Sequence, residues 1–210
     1  MALNSYDNLR AAIADYLDRP DLAAQIPDFV DLAEARHRRD IRSNDMLTRS
    51  QVTFAKQSAP YVALPPRFLQ MRLLRVLTDP VRRLQPVTPD QLTMARGGHL
   101  TTTYCQPSFY CVHEELEFDV SPDQDYVLEM LYYAAFPPLD ATNTTNALLV
   151  NNPDAYLYGS LIAAEPFMMH DDRIQVWAEL YKTALDGIAA TSRRARHGAP
   201  LTARVYGGTP

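Results

Sequence analysis

The chain has 210 residues, 47% of them hydrophobic and 21% charged, with a formal net charge of -5. Those totals suit one medium domain, or a compact core with an inserted module, and they exclude a low-complexity or disordered chain. The negative balance argues against a general affinity for nucleic-acid phosphates, and two cysteines, Cys105 and Cys111, are too few for a disulfide scaffold.

Taken in chain order, the first predicted element is a helix over 5–18. Ser5 is its cap, and Leu9, Ala12, Ile13, Tyr16 and Leu17 share one face. The sequence Asp18-Arg19-Pro20-Asp21 stops it, because a residue before proline avoids helical angles. A second helix starts near Pro27. Ile26, Phe29, Val30, Ala33 and Ile41 point one way, while Asp28, Asp31, Glu34, Arg36, Arg38 and Arg39 point elsewhere. Its acids come early and its bases late, as the helix dipole favours.

From Met46 the period changes to that of strands. Val52 and Phe54 alternate with polar neighbours, and further extended runs are expected at Tyr61–Leu64, Phe68–Leu77 and Arg82–Val87. Thr88-Pro89-Asp90 opens a short helical turn that Gly97-Gly98 ends. Tyr104–Gln106, Phe109–His113 and Glu115–Val120 read as strands. In the last of these, Leu116, Phe118 and Val120 face one side, and Glu115, Glu117 and Asp119 the other. Tyr126–Phe136 is nearly all apolar and is expected to be central and covered on both faces. Asp140–Asn151, rich in Thr and Asn, reads as a connection.

The stretch Asn152–Ala190 then forms a helical hairpin. Asn152 is the expected cap of its first helix, Leu157, Tyr158, Leu161 and Ile162 its stripe, and Pro166 the residue that bends or ends it. Asp171 or Asp172 caps the second helix, with Ile174, Trp177, Tyr181, Ala184, Leu185 and Ile188 at near-heptad spacing. Two stripes joined by so short a turn pack antiparallel. The segment 199–210 alternates Leu201, Ala203 and Val205 and reads as an extended tail able to add as a strand elsewhere.

The predicted fold class is therefore α+β. An antiparallel helical bundle (1–44 and 140–198) carries an inserted antiparallel β module (45–139) and an extended C-terminal tail (199–210). The longest apolar runs, 127–139 and 155–169, contain charges or prolines, so no membrane span is expected. No signal-peptide pattern opens the sequence, and the expected site of synthesis is a reducing cytoplasm.

Few residue groups suggest chemistry. The consecutive His170-Asp171-Asp172 fan apart at a helix start and read as capping residues, with no metal expected there. His113 with Glu115, Glu117 and Asp119 resembles an acid–base cluster, and a small carboxylate-dependent hydrolase is the enzyme alternative. A solvated strand face explains the same residues. Cys105 and Cys111 lack the His or Cys partners of a zinc site, and Met168-Met169 reads as core. There is no Gly-rich phosphate loop and no nucleophile elbow. The basic run Ser192-Arg193-Arg194-Ala195-Arg196-His197 suits a helix C-terminus, or contact with an acidic protein surface or with DNA phosphates. No enzyme and no cofactor is predicted.

Three stretches together resemble a known family. The first is Leu9-Arg10-Ala11-Ala12-Ile13-Ala14-Asp15-Tyr16-Leu17 followed by Ile26-Pro27-Asp28-Phe29-Val30-Asp31-Leu32-Ala33-Glu34-Ala35-Arg36. The second is Tyr61-Val62-Ala63-Leu64-Pro65 and Phe68-Leu69, preceding Pro86-Val87-Thr88-Pro89-Asp90-Gln91-Leu92. The third is Asn152-Pro153-Asp154-Ala155-Tyr156-Leu157-Tyr158-Gly159-Ser160-Leu161, then Asp171-Asp172-Arg173 and Trp177. Spread over most of the chain, these resemble head-to-tail adaptor (connector or neck) proteins of tailed double-stranded-DNA bacteriophages. The motifs are packing and turn signatures with no catalytic residues.

The resemblance implies a virion structural protein made in the host bacterial cytoplasm and placed in the neck between capsid and tail. Its expected partners are the portal protein, a tail or nozzle protein and further copies of itself in a dodecameric ring. Double-stranded DNA would pass through the ring without specific binding, and a channel lined by carboxylates would repel phosphate. Glu115, Glu117 and Asp119 are the expected channel-facing acids. Arg193, Arg194 and Arg196, with Leu201, Ala203, Val205 and Tyr206 of the tail, are the expected portal contacts. Tyr156, Arg173 and Glu179 are the expected seam between subunits. The alternative within the same class is another neck component, such as a head-completion or tail-terminator protein.

Overall fold

A computed structural model describes residues 3–97, 104–168 and 173–196. In chain order the elements are α1 (Tyr6–Leu17), α2 (Ile26–Asp40), β1 (Leu47–Phe54), β2 (Tyr61–Ala63), β3 (Phe68–Val76), β4 (Arg82–Arg83), β5 (Gln85–Pro86), α3 (Pro89–Ala95), β6 (Phe109–Val112), β7 (Glu115–Phe118), β8 (Tyr126–Ala134), α4 (Ala147–Asn151), α5 (Pro153–Met168) and α6 (Ile174–Arg196). The architecture is α+β. The residues fall into two compact units: the helical one joins the segments up to Asp45 and from Phe136 onward, and the β unit is Met46–Ala135.

The helical unit follows from its caps and stripes. The Ser5 hydroxyl accepts from the Asn8 N–H at the start of α1, and Asp18, in the left-handed region at φ 51°, ends it. Leu9, Ile13, Val30 and Ala33 are fully buried, but Tyr16, expected on the apolar face of α1, is 50% exposed. Glu34, expected on the polar face of α2, is buried. The connection before α5 is not irregular throughout: Asn146 caps the short helix α4, its side chain accepting from the Leu149 N–H at 2.9 Å. Composition hid that helix, because Thr and Asn favour turns until one of them finds a cap position.

α5 is the centre of this unit, in contact with α1, α2, α4 and α6. Neighbours on so many sides explain why Ala155, Tyr156, Leu157, Ser160, Leu161, Ala164 and Glu165 are all buried, where a single stripe was expected. Nor does Pro166 end the helix, which runs on to Met168. Gly159 lets α5 approach closely. A Cβ there would lie 3.2 Å from His37 Nε2, 3.3 Å from Ala33 Cβ and 3.4 Å from Tyr181 Cε2. From α6, Trp177, Tyr181, Ala184 and Ile188 are buried, in keeping with the near-heptad spacing. The expected caps Asp171 and Asp172 lie outside the described residues, as does the segment 197–210.

Among the described residues the β unit holds two four-stranded sheets, ordered β1-β8-β3-β4 and β2-β7-β6-β5. The apolar β8 is central, paired antiparallel with β1 from Leu47↔Tyr133 to Phe54↔Tyr126 and with β3 on its other side. Its cover is incomplete, since Val127 is 40% exposed. The second sheet is not purely antiparallel, because β5 runs parallel to β6. Both sheets contribute to one core, in which the Phe54 and Phe118 rings lie 4.7 Å apart. α3 opens with a capping box: the Thr88 hydroxyl accepts from the Gln91 N–H, and the Gln91 side chain accepts from the Thr88 N–H. Among the described residues no helix is long and apolar enough to cross a membrane.

Candidate interaction surfaces

The basic end of α6 is held in place. The Ser192 hydroxyl accepts from the Asn44 N–H at 3.2 Å, and the Ser192 carbonyl accepts from Asn44 Nδ2 at 3.3 Å. Ser192 is buried, whereas Arg193 and Arg194 are exposed. These cations stand where the helix dipole is negative, on a helix end fixed to the loop after α2. Arg196 is the last described residue of α6, while Leu201, Ala203, Val205 and Tyr206 lie outside the described residues. On the same helix Glu179 is exposed, and Arg173, just before it, is exposed too.

Tyr156 does not belong with them. It is fully buried, and burial together with the neighbouring Glu34 carboxylate pushes its phenol well above the usual range. Its hydroxyl donates to Glu34 Oε1 at 3.1 Å and accepts from Asn146 Nδ2 at 2.7 Å. The same Glu34 oxygen accepts from the Leu139 N–H at 2.8 Å. Tyr156 is thus an internal strut tying α2, α5 and the segment before α4, and it reaches no neighbour. An aromatic ring at helical spacing looks alike in both roles, and no local sequence signal separates them, because the acid that holds the Tyr156 hydroxyl comes from α2, far away in the chain.

The three expected channel acids do not form one free face. Glu115 is exposed, at the edge of an open depression of about 530 Å³ lined also by Tyr61, His113, Glu114 and Glu117. Glu117 is engaged: its Oε1 takes an ion pair from Arg96 Nη1 at 2.8 Å and a longer bond from the Tyr61 hydroxyl at 3.4 Å. Asp119 lies beyond β7, and its Oδ1 accepts from the Ser108 and Phe109 N–H groups at 3.1 and 3.2 Å. It fixes the start of β6. Alternation carried the expectation of a common face past the end of the strand.

The same cluster lacks the geometry of a catalytic relay. His113 Nε2 lies 3.3 Å from Cys111 Sγ and 3.9 Å from Glu117 Oε2. A nucleophile and an orienting acid must use the two different ring nitrogens, and here both face one. Burial also pushes the Cys111 thiol up, away from the thiolate. Among the described residues no group of three His, Cys, Asp or Glu side chains is placed to hold a metal.

Two further polar arrangements escaped the sequence reading. His37 is buried in α2, its Nε2 donating to the Ala155 carbonyl at 3.2 Å, and burial lowers its pKa to about 4. In the β unit, Glu129 is buried between two arginines. Arg75 Nε donates to its Oε1 at 2.6 Å, while Arg49 Nη1 stands 3.9 Å from its Oε2. The Arg75 bonds hold the Glu129 carboxyl below its usual range. Register would have found this group, since Glu129 pairs with Gln51 on one side and Arg75 on the other.

Among the described residues the arrangement is one of fixed charges and capped elements. A family model described as SU10 adaptor protein matches residues 4–204. The chain belongs to the SU10 adaptor protein family. A search among curated proteins finds no match. Membership supports a phage adaptor-type structural protein, hence a virion component, and points away from enzymatic activity.

Proposed function

We propose that this adaptor works head to tail: copies assemble as a ring beneath the portal of the capsid, extend the DNA channel, and offer the surface on which the tail or nozzle docks. The observation that carries this reading is the family match over residues 4–204, which spans both compact units. The anchored α6 end fits the portal contact. Arg193 and Arg194 are exposed on a helix that Asn44 and Ser192 hold in place, so their charges are carried on a backbone that is already ordered. Arg196 and the tail residues Leu201, Ala203, Val205 and Tyr206 continue that contact. Arg173 and Glu179, of opposite charge, suit the seam between neighbouring copies, and exposed Glu115 suits the channel wall.

The test is a binding assay between the full-length chain and portal rings of the same virus. Reversing Arg193, Arg194 and Arg196 to glutamate is expected to weaken binding by about tenfold or more, most clearly at low salt. Unchanged affinity at low salt would overturn the portal assignment. Electron microscopy of the assembled neck reads the ring and its copy number, expected to be twelve.

A further inference from the structure

Sheet edges expose unpaired N–H and C=O groups, and proteins normally blunt them with short strands, prolines, bulges or inward charges. Among the described residues, three of the four edges follow that rule. β4 has two residues, β2 has three, and β5 has two, one of them Pro86. β3, next to β4, is broken by register shifts between Phe68 and Gln70 and between Met71 and Leu73.

β1 does not follow it. It is an eight-residue edge strand, Leu47-Thr-Arg-Ser-Gln-Val-Thr-Phe54, paired with β8 without a register shift. It contains no proline and is rich in β-favouring residues, with Thr48, Arg49, Gln51 and Thr53 exposed. Among the described residues β8 is its only strand neighbour, and no backbone hydrogen bond from another segment reaches positions 47–54. Its single charge is only loosely satisfied: Arg49 stands 3.9 Å from a Glu129 carboxylate that Arg75 already engages closely. Two guanidinium groups thus share one carboxylate beside this edge. On the opposite face, Val52 is partly buried against the core, so an apolar side chain beside it would extend that core.

We propose that β1 is a receiving edge for an extended strand of a partner protein, alternating apolar and polar residues and carrying a carboxylate opposite Arg49. The main-chain ladder would supply affinity, and the charge at Arg49 with the apolar contact at Val52 would supply register. This goes beyond the head-to-tail reading and stands independently of portal binding. Its failure leaves the arginines of α6 untouched, and theirs leaves this edge untouched.

The test uses the full-length chain and two labelled synthetic peptides of about ten residues, alternating valine and threonine, one with a central glutamate and the other with a central lysine. The glutamate peptide is expected to bind about tenfold more tightly, and to slow amide hydrogen exchange across Leu47–Phe54 by a similar factor. Arg49→Glu should reverse the preference in favour of the lysine peptide, and Arg49→Gln should abolish it. Both changes are at an exposed side chain, which keeps the fold available as a control. Failure of the glutamate peptide to protect the 47–54 amides that do not bond β8 would overturn the proposal. So would protection, without peptide, of the amides that point away from β8: if it rises with protein concentration, a second copy occupies the edge, and if it vanishes on truncation after Arg196, the chain's own C-terminal segment does.

Discussion

Glu34 ties distant parts of the helical unit through one carboxylate oxygen. Its Oε1 accepts from both the Leu139 N–H and the Tyr156 hydroxyl, and so pins the segment around Leu139 to α2 and α5. Tyr156→Phe keeps the ring but removes the hydroxyl, leaving Asn146 and Glu34 each short of a partner. A loss of about 1–3 kcal/mol is expected, read by chemical denaturation. Acid response separates two buried groups. The His37 pKa falls from 6.5 to about 4 in the folded chain, so below 6.5 the unfolded chain binds the extra proton. The stability from neutral His37 is present above pH 6.5 and is lost as pH falls towards 4, by about 3 kcal/mol in all. His37→Gln should flatten that slope, as measured by denaturation midpoints across the range. Glu34 acts with the opposite sign. Burial raises its pKa, so its contribution is present below about 4.5 and is lost as pH rises through the folded value. Glu34→Gln keeps both acceptor bonds, and its stability relative to the natural chain is expected to grow above that pH.

At the scale of elements, α5 depends on the absence of a side chain at Gly159. Gly159→Val would push branched carbons into His37, Ala33 and Tyr181, and a cost of about 1–3 kcal/mol is expected from a lower thermal midpoint. Thr88→Ala removes one half of the α3 capping box and is expected to cost about 1 kcal/mol, with amide exchange accelerating first in Pro89–Ala95. Elements whose register and caps are local were legible in the sequence: Ser5, Thr88 and the α6 stripe each specify structure within a few residues. Elements specified from a distance were not. The parallel pairing of β5 with β6 needs partners over twenty residues apart, and no local pattern encodes it. The helix through Pro166 is similar, since packing against several helices overrides a single unfavourable residue. Glu34 escaped for the same reason, because the groups that bury it come from Leu139 and Tyr156.

For the whole molecule, family and architecture were readable because packing signatures recur along nearly the full length of the chain, and the family match covers the same stretch. Individual contact residues were less so, since exposure is a property of the folded neighbours: Glu179 lies open while Tyr156, on the preceding helix, is sealed. The pairing of Leu47 with Tyr133 has a consequence at this scale. The first and last strands of the β unit begin and end side by side, about 5 Å apart across the ladder. The helical unit therefore sees the whole of 48–132 as an insertion with nearly coincident ends, an exchangeable cassette. A chain in which a short glycine bridge replaces those residues is expected to keep its helical circular-dichroism signature and the buried emission of Trp177, its only tryptophan. Such a scaffold can accept a different cassette, and with it a different neighbour, without its helices being redesigned.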